Sequence, residues 1–361
     1  MMTNNTIKIG IIGAGRVSEH YKNIFNNFNI KNYSVVGVAD VIEEKANNLA
    51  SSFNCKHYTS IKELIERSKP NLVLVLTPSG LHYDHAKYAL TNNCHVLVEK
   101  PVTMIPSQAY ELRQLAIDNK LLLCVAFQNR FNPAIKALKN ALESNRFGKI
   151  TTATVRLRWC RYQDYYNDDW HGTWQNDGGV INQQAIHHVD ALNWLLGPVD
   201  EVCTKITNRL NTLEAEDTFV AIIKFDNGSL GTIEATTAAR PDDMEASISV
   251  LGEKGTVVIG GIALNKIEMW KFQEKRKEDV NIISDFSIEV PNGYGLSHKD
   301  LLQSVIDTLL NSSIKSPIPI EDCIATCELV HSFYVSHESN SWVSIKDKLN
   351  SKKLGIDLCH K

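Results

Sequence analysis

Between Ile7 and Phe127, five short apolar runs rich in β-branched residues alternate with stretches whose apolar residues return at helical spacing; the runs are IKIGII, YSVVGVAD, LVLVLT, CHVLVEK and LLLCVAF. A strand that is apolar on both faces must be covered on both, and intervening helices supply that cover when successive strands run parallel. Val17, Tyr21, Ile24, Phe25 and Phe28 mark the first of these crossover helices. The pattern predicts an α/β domain over residues 1–127 with a doubly wound, mostly parallel sheet.

From residue 128 to the C-terminus at 361 the texture changes. A helical stretch from Asn132 to Asn145 gives way to strand patterns separated by turn signals at Asp226-Asn227-Gly228 and Glu253-Lys254-Gly255. One helix is expected from Val180 to Leu196, stopped by Gly197-Pro198, and two more around His298–Leu310 and Asp322–His337. The reading for 128–361 is an α+β domain built on a large, mainly antiparallel open sheet. Its C-terminal helices are free to pack back on the first domain.

Composition limits the partners. At 43% hydrophobic and 22% charged, the 361 residues make an ordinary globular chain, and a net charge of -3 provides no field to attract nucleic acid or an anionic membrane. No apolar run approaches the ~18 residues of a membrane span, and the N-terminus lacks the pattern of a secretory signal. The eight cysteines, at 55, 94, 124, 160, 203, 323, 327 and 359, form no C-x-x-C pair. They read as reduced thiols of a cytoplasmic protein. Cys323 and Cys327, and likewise His82 and His85, have no ligands nearby to complete a metal set, so no metal is expected.

The first strand runs into Gly13-Ala14-Gly15-Arg16-Val17-Ser18 and then a helix. The first glycine permits a tight turn, the second lets backbone approach a pyrophosphate, and the helix N-terminus offers unpaired N–H groups. Ser18 stands where a third glycine is usual. Asp40 ends the second strand about 25 residues past Gly15, near the spacing of the acid that binds the adenine ribose 2′-hydroxyl. Its carboxylate would repel a 2′-phosphate, and neighbouring Val41 and Ile42 bring no cation, so NAD is expected over NADP. Thr77, Pro78, Ser79 and His82, at the carboxyl end of the next strand, are expected to line the dinucleotide.

The fourth strand ends in Glu99-Lys100-Pro101, and here the chain resembles the Gfo/Idh/MocA family of NAD(P)-dependent sugar and inositol dehydrogenases. The resemblance implies that Lys100 sits near the nicotinamide and the reacting hydroxyl, and that Glu99 approaches the nicotinamide ribose. The chemistry is consistent: as hydride leaves an alcohol carbon, a proton acceptor must reach the oxygen. The family pattern G-G-x-x-x-D-x-G-x-H-x-x-D aligns with Gly178 to Asp190. It assigns the site histidine to His187 and the final acid to Asp190, with Gln183 replacing the first acid. Gln183 and His187, four apart, are expected to share a helix face. Gln is no base, so proton transfer falls to Lys100 and His187, with Gln183 orienting a hydroxyl and Asp190 fixing the His187 tautomer or packing at the domain surface.

Three further stretches, Gln128 to Pro133, Arg158 to Arg161, and Trp170 to Trp174, resemble one subgroup of the family. That subgroup oxidises C3 of UDP-N-acetyl-2-amino-2-deoxy-D-glucuronate in the biosynthesis of surface polysaccharide. The resemblance implies a UDP-linked, N-acetylated uronate as substrate, Gln128 beside the cofactor, Asn129 beside the substrate, and a homo-oligomer, with a tetramer favoured. In some relatives 2-oxoglutarate reoxidises the bound NADH. Arg156 and Arg158, two apart on one strand, emerge on one face, and with Arg161 and Arg130 are expected to form an anion-binding set. Trp170 belongs to an aromatic segment, Trp159 to Trp174, suited to stacking on sugar or uracil or to an oligomer interface. Two other readings stand beside this one: a relative acting on inositol, a free sugar or another nucleotide sugar, and a non-catalytic sensor of dinucleotide or sugar.

Overall fold

The computed structural model describes residues 6–356, which divide into two compact units. Cys359 lies outside the described residues. The first unit runs to Phe127 and also takes in His298–Cys327; the second comprises Gln128–Ser297 and the chain from Glu328 onward. The C-terminal part of the sequence is thus split between the units.

In the first unit, strands β1 (Ile7–Ile12), β2 (Tyr33–Ala39), β3 (Lys56–Tyr58), β4 (Leu72–Val75), β5 (His95–Val98) and β6 (Leu123–Val125) form one sheet in the order β3-β2-β1-β4-β5-β6. Every pairing in it is parallel. Helices α1 (Arg16–Asn27), α2 (Glu43–Ser52), α3 (Ile61–Ser68), α4 (His82–Thr91) and α5 (Pro106–Asp118) make the crossovers. All four residues of β4 are fully buried, as expected of a strand covered on both faces. The order reverses at β1, so the carboxyl ends of β1 and β4 open the crevice where such sheets bind ligands.

The second unit contains α6 (Pro133–Glu143), β7 (Ile150–Arg158), α7 (Val180–Gln183), α8 (Ile186–Leu196), β8 (Val199–Thr207), β9 (Thr218–Phe225), β10 (Leu230–Thr236), β11 (Glu245–Gly252), β12 (Gly255–Gly260), β13 (Lys266–Phe272) and α9 (Ile282–Phe286). With β14 (Val343–Ser344) the strands form an eight-stranded sheet in the order β13-β12-β11-β7-β10-β9-β8-β14, antiparallel except for β7 against β10. Along β7 and β9 the side chains alternate. Ala153, Val155 and Leu157 on β7 and Phe219, Ala221 and Ile223 on β9 are buried, whereas Arg156, Val220 and Ile222 point outward and are exposed.

Helix α10 (His298–Leu310) belongs to the first unit, where it packs beside α1 and β1. Helix α11 (Ile320–Ser339) carries Cys323 and Cys327, both buried, with their thiols directed at the backbone carbonyls of Pro319 and Thr103. Among the described residues, no helix is long and apolar enough to cross a membrane.

The expected Val180–Leu196 helix is interrupted. The N–H groups of Gln184 and Ala185 both reach the Val180 carbonyl, at 3.1 and 2.8 Å, and this shared acceptor separates α7 from α8. Gln183 and His187 therefore do not lie on one regular helix face, and the four-residue spacing does not fix their directions.

Candidate active site

The turn after β1 is built by close approach. Gly13 has φ +98°, and a Cβ there would lie 2.6 Å from the Leu76 carbonyl oxygen, so both the conformation and the contact demand glycine. Gly15, by contrast, faces open space and precedes α1 without a side chain capping the helix. Ser18 explains its substitution for glycine: it is buried, and its hydroxyl donates to the Gly15 carbonyl at 2.6 Å. Arg16 is exposed and Val17 half-buried on the first turn of the helix.

Asp40 is fixed by two backbone donors. The Ala14 N–H reaches Oδ2 at 2.7 Å and the Ile42 N–H reaches Oδ1 at 2.8 Å. Each oxygen keeps a further lone pair for a hydroxyl. Val41 and Ile42 beside it are exposed apolar residues. An open glycine shoulder at a helix N-terminus, with a braced carboxylate across the turn, fits the pyrophosphate and adenine ribose of a dinucleotide.

At the end of β4, Ser79 is buried and the Thr77 hydroxyl lies 3.0 Å from His85 Nδ1. His82 does not fit the ligand-lining role expected of it. It is buried, with Nδ1 2.7 Å from the Pro101 carbonyl and Nε2 2.8 Å from the Thr77 carbonyl. Burial lowers its pKa, against the pull of those two carbonyls. Its place is that of a brace between the turn after β4 and the turn after β5.

The turn after β5 presents Lys100. From Val96 to Met104 every residue is buried except Lys100, and the Lys100–Pro101 peptide is cis. Glu99 turns inward: its Oε1 accepts the Tyr21 hydroxyl at 3.0 Å, and its Oε2 lies 3.3 Å from the Lys100 backbone N–H.

In the second unit, the Gly178-Gly179 turn starts α7. Gly178 has φ +75°, and a Cβ on Gly179 would overlap the carboxyl of Glu216. The helix start is satisfied by two residues distant in sequence: the Gly179 N–H donates to the Tyr334 hydroxyl, the Val180 N–H to the Glu216 carbonyl and the Ile181 N–H to Glu216 Oε1, at 3.2, 2.9 and 3.1 Å. Tyr334 in turn donates to Glu216 Oε1 at 3.1 Å. Burial pushes the Glu216 carboxyl up to about 8 despite these bonds, so it is protonated at neutral pH. Neither Glu216 nor Tyr334 is flagged by local sequence, because the contacts that define them are long-range.

His187 is the counterpart of Lys100. Across Asp177–Leu192 it alone is not buried; Gln183 lies inside at 9% exposure. His188 is a core residue, set edge-on to Trp159 and pushed by burial down to about 4.

The anion-binding set expected of Arg130, Arg156, Arg158 and Arg161 is not assembled, because each arginine faces a carboxylate of this chain. Arg130 Nε and Nη2 grip the two oxygens of Asp190 at 2.8 and 2.7 Å in a fully buried fork. That pairing also gives Asp190 a guanidinium partner. Arg158 sits between Glu234 and Glu245 at 2.6 and 3.2 Å, Arg156 is 3.7 Å from Glu245, and Arg161 is 2.9 Å from Asp243. Arg156 and Arg158 do share the outer face of β7, as their spacing requires, but register places acids beside them.

Asn129 is buried and Gln128 more so, with the Gln128 side-chain carbonyl oxygen lacking a hydrogen-bond partner among the described residues. Trp170 is half-buried and stacks on His171, ring centroids 3.6 Å apart, while His171 Nδ1 lies 2.6 Å from Asp168. The described residues contain no group of three or more His, Cys, Asp or Glu side chains placed to hold a metal ion.

Comparison with known proteins agrees with this architecture. Residues 7–127 match the profile of an oxidoreductase family with an NAD-binding Rossmann fold, and residues 135–258 match the GFO/IDH/MocA C-terminal domain. Two solved structures of WlbA dehydrogenases in complex with NADH and UDP-GlcNAcA, from Chromobacterium violaceum and Bordetella pertussis, superpose with TM-scores of 0.88 and 0.90. Both are 30% identical to this chain and cover 95% of it, at 97% and 99% of their own lengths. Among curated sequences, an uncharacterised oxidoreductase of Synechocystis is 28% identical over 60% of either chain. Glucose-6-phosphate 3-dehydrogenase of Bacillus subtilis is 26% identical over 68% of this chain and 72% of its own.

Proposed function

The chain belongs to the Gfo/Idh/MocA family and is an NAD-dependent sugar dehydrogenase acting on a CH–OH group; on that premise we propose that it oxidises the C3 hydroxyl of UDP-N-acetyl-2-amino-2-deoxy-D-glucuronate to the 3-keto sugar. The reading of the substrate is supported by likeness over 95% of the chain to two dehydrogenases solved with UDP-GlcNAcA.

One observation carries the chemistry. In two separate stretches that are otherwise buried, the residue left partly exposed is proton-active: Lys100 in Val96–Met104 and His187 in Asp177–Leu192. Bound NAD supplies the hydride acceptor. Gly13, Gly15, Asp40 and the first turn of α1 hold it, Gln128 offers a buried acceptor, and Lys100 and His187 divide the removal of the C3 hydroxyl proton. Gln183 donates to or accepts from the sugar without taking a proton.

The open face of the second unit's sheet exposes Val220, Ile222, Leu230 and Leu251, which suits pairing with further copies of the chain. The proposed reaction yields a ketone that an aminotransferase can consume, which fits a step in diamino-uronate synthesis for surface polysaccharide.

The test is a substrate panel. Purified enzyme with NAD is given the UDP-uronate, UDP-N-acetylglucosamine, glucose 6-phosphate and myo-inositol, with and without 2-oxoglutarate. Turnover confined to the UDP-uronate is expected. Preference for glucose 6-phosphate or inositol would retain the family and overturn the substrate.

A further inference from the structure

A second layer of titratable side chains lies behind Lys100, all of it inside the first unit. Glu99 is 6% exposed, and burying a lone carboxylate is costly enough that it normally takes a proton instead. Here Oε1 receives the Tyr21 hydroxyl at 3.0 Å, and His298 Nε2 stands 3.7 Å from the same oxygen. His298, itself 2% exposed and the first residue of α10, also has Nδ1 3.2 Å from Nε2 of His20, a half-buried residue of α1. The three rings are set edge to face, with centroids 4.7 Å apart for His20 and His298 and 5.6 Å for Tyr21 and His298.

We infer that His298 is a positioning residue for Lys100: together with Tyr21 it locks Glu99 as a fixed carboxylate, whose second oxygen anchors the Lys100 backbone N–H and whose charge stands beside the lysine. The inference rests on reading Lys100 as the residue that serves the reacting hydroxyl.

The groups around Glu99 are His20 and Tyr21 from α1, His82 from α4, Lys100 itself, Cys124 on β6 beside Tyr21, and His298 from α10. Burial pushes the Glu99 carboxyl upward. His298, the Lys100 charge and the Tyr21 hydroxyl outweigh it and hold the carboxyl below the usual range. His20 is driven down to about 4, chiefly by burial and then by the neighbouring His298, so near neutral pH it is uncharged. Without His298 the foremost opposition to burial is lost, and Glu99 should take up its proton at a higher pH than in the wild type.

The experiment uses the full-length enzyme without added cofactor. Difference infrared spectroscopy against pH follows the protonated-carboxyl stretch, with Glu99→Gln identifying the Glu99 band. In His298→Ala the band should appear at least about one pH unit higher than in the wild type, with a smaller rise in Tyr21→Phe. His298→Gln, which restores a donor toward Oε1, should recover part of the shift. The acid limb of kcat, measured on active variants, should move with the band. A Glu99 band unmoved in His298→Ala overturns the inference, and His298→Phe, which keeps a ring without a donor, decides it in the same way if His298→Ala does not fold. If the band moves while Lys100→Ala keeps full turnover, the lock stands and the role given to Lys100 falls.

Discussion

The Glu216 carboxyl occupies the space that a side chain on Gly179 would need. The second glycine of the G-G pair is thus explained by a partner 37 positions away, while the first, at φ +75°, is explained by backbone geometry. Gly179→Ala should force the carboxyl from the Ile181 N–H and cost roughly 1–3 kcal/mol of stability. In the double variant with Glu216→Ala the two effects should be strongly non-additive. Strict additivity in thermal or denaturant unfolding would show that the carboxyl is not what the new side chain displaces, leaving the Glu216 backbone carbonyl oxygen, 2.4 Å from the same position, as the obstacle.

Glu216 also makes stability depend on pH in the alkaline direction. Its carboxyl titrates near the ordinary 4.5 when unfolded and at about 8 when folded, so between those values the folded state holds a proton that the unfolded state has released. The stabilisation is full below the lower value, is lost as pH rises through the upper one, and is absent beyond it. Glu216→Gln should resemble the wild type in acid and exceed its melting temperature at about pH 9. Melting curves that differ by the same amount at every pH would rule this out.

Arg130 and Asp190 form a fork with both side chains almost wholly buried, at 4% and 1% exposure. Removing one side chain takes the ion-pair partner from a buried charge. Arg130→Met or Asp190→Asn should cost about 3–5 kcal/mol, whereas Arg158→Ala, at the surface between two acids, should cost less than about 1 kcal/mol. Arg158→Ala should also leave KM for a UDP-uronate within about twofold, because its charge is already met within the chain. Denaturant unfolding and initial rates check both.

Much of this was legible because the Rossmann strands are apolar on both faces and announce themselves locally. The three-residue β3, Lys-His-Tyr at the sheet edge, carries no such run and escaped the reading. The gap between α7 and α8 has neither Gly nor Pro to mark it. Spacing correctly put Arg156 and Arg158 on one face, but strand register, which sequence does not state, set Glu245 opposite Arg158. The return of C-terminal helices to the first unit was allowed for in the sequence, but not which residues, 298–327, would make it: helix periodicity shows that a face is buried, not against what. His298 and Glu216 matter through partners about 200 and 37 positions away, beyond any motif.

Asp40 is held by two backbone donors of this chain, so its effect on cofactor choice should be sharp. Asp40→Ala should weaken NAD by roughly 10- to 100-fold, the worth of charged hydrogen bonds, and narrow or reverse the preference over NADP. Equal loss for both cofactors in equilibrium titrations would remove Asp40 from ribose recognition.

Hydride removal from C3 is tested most directly with UDP-N-acetylglucosaminuronate bearing deuterium at C3 alone. Deuterium should appear on the nicotinamide ring of the reduced cofactor, accompanied by the 3-keto product, in single turnover of the purified enzyme. Turnover that leaves the label on the sugar, or no reduction of NAD by this substrate at all, would contradict the assignment.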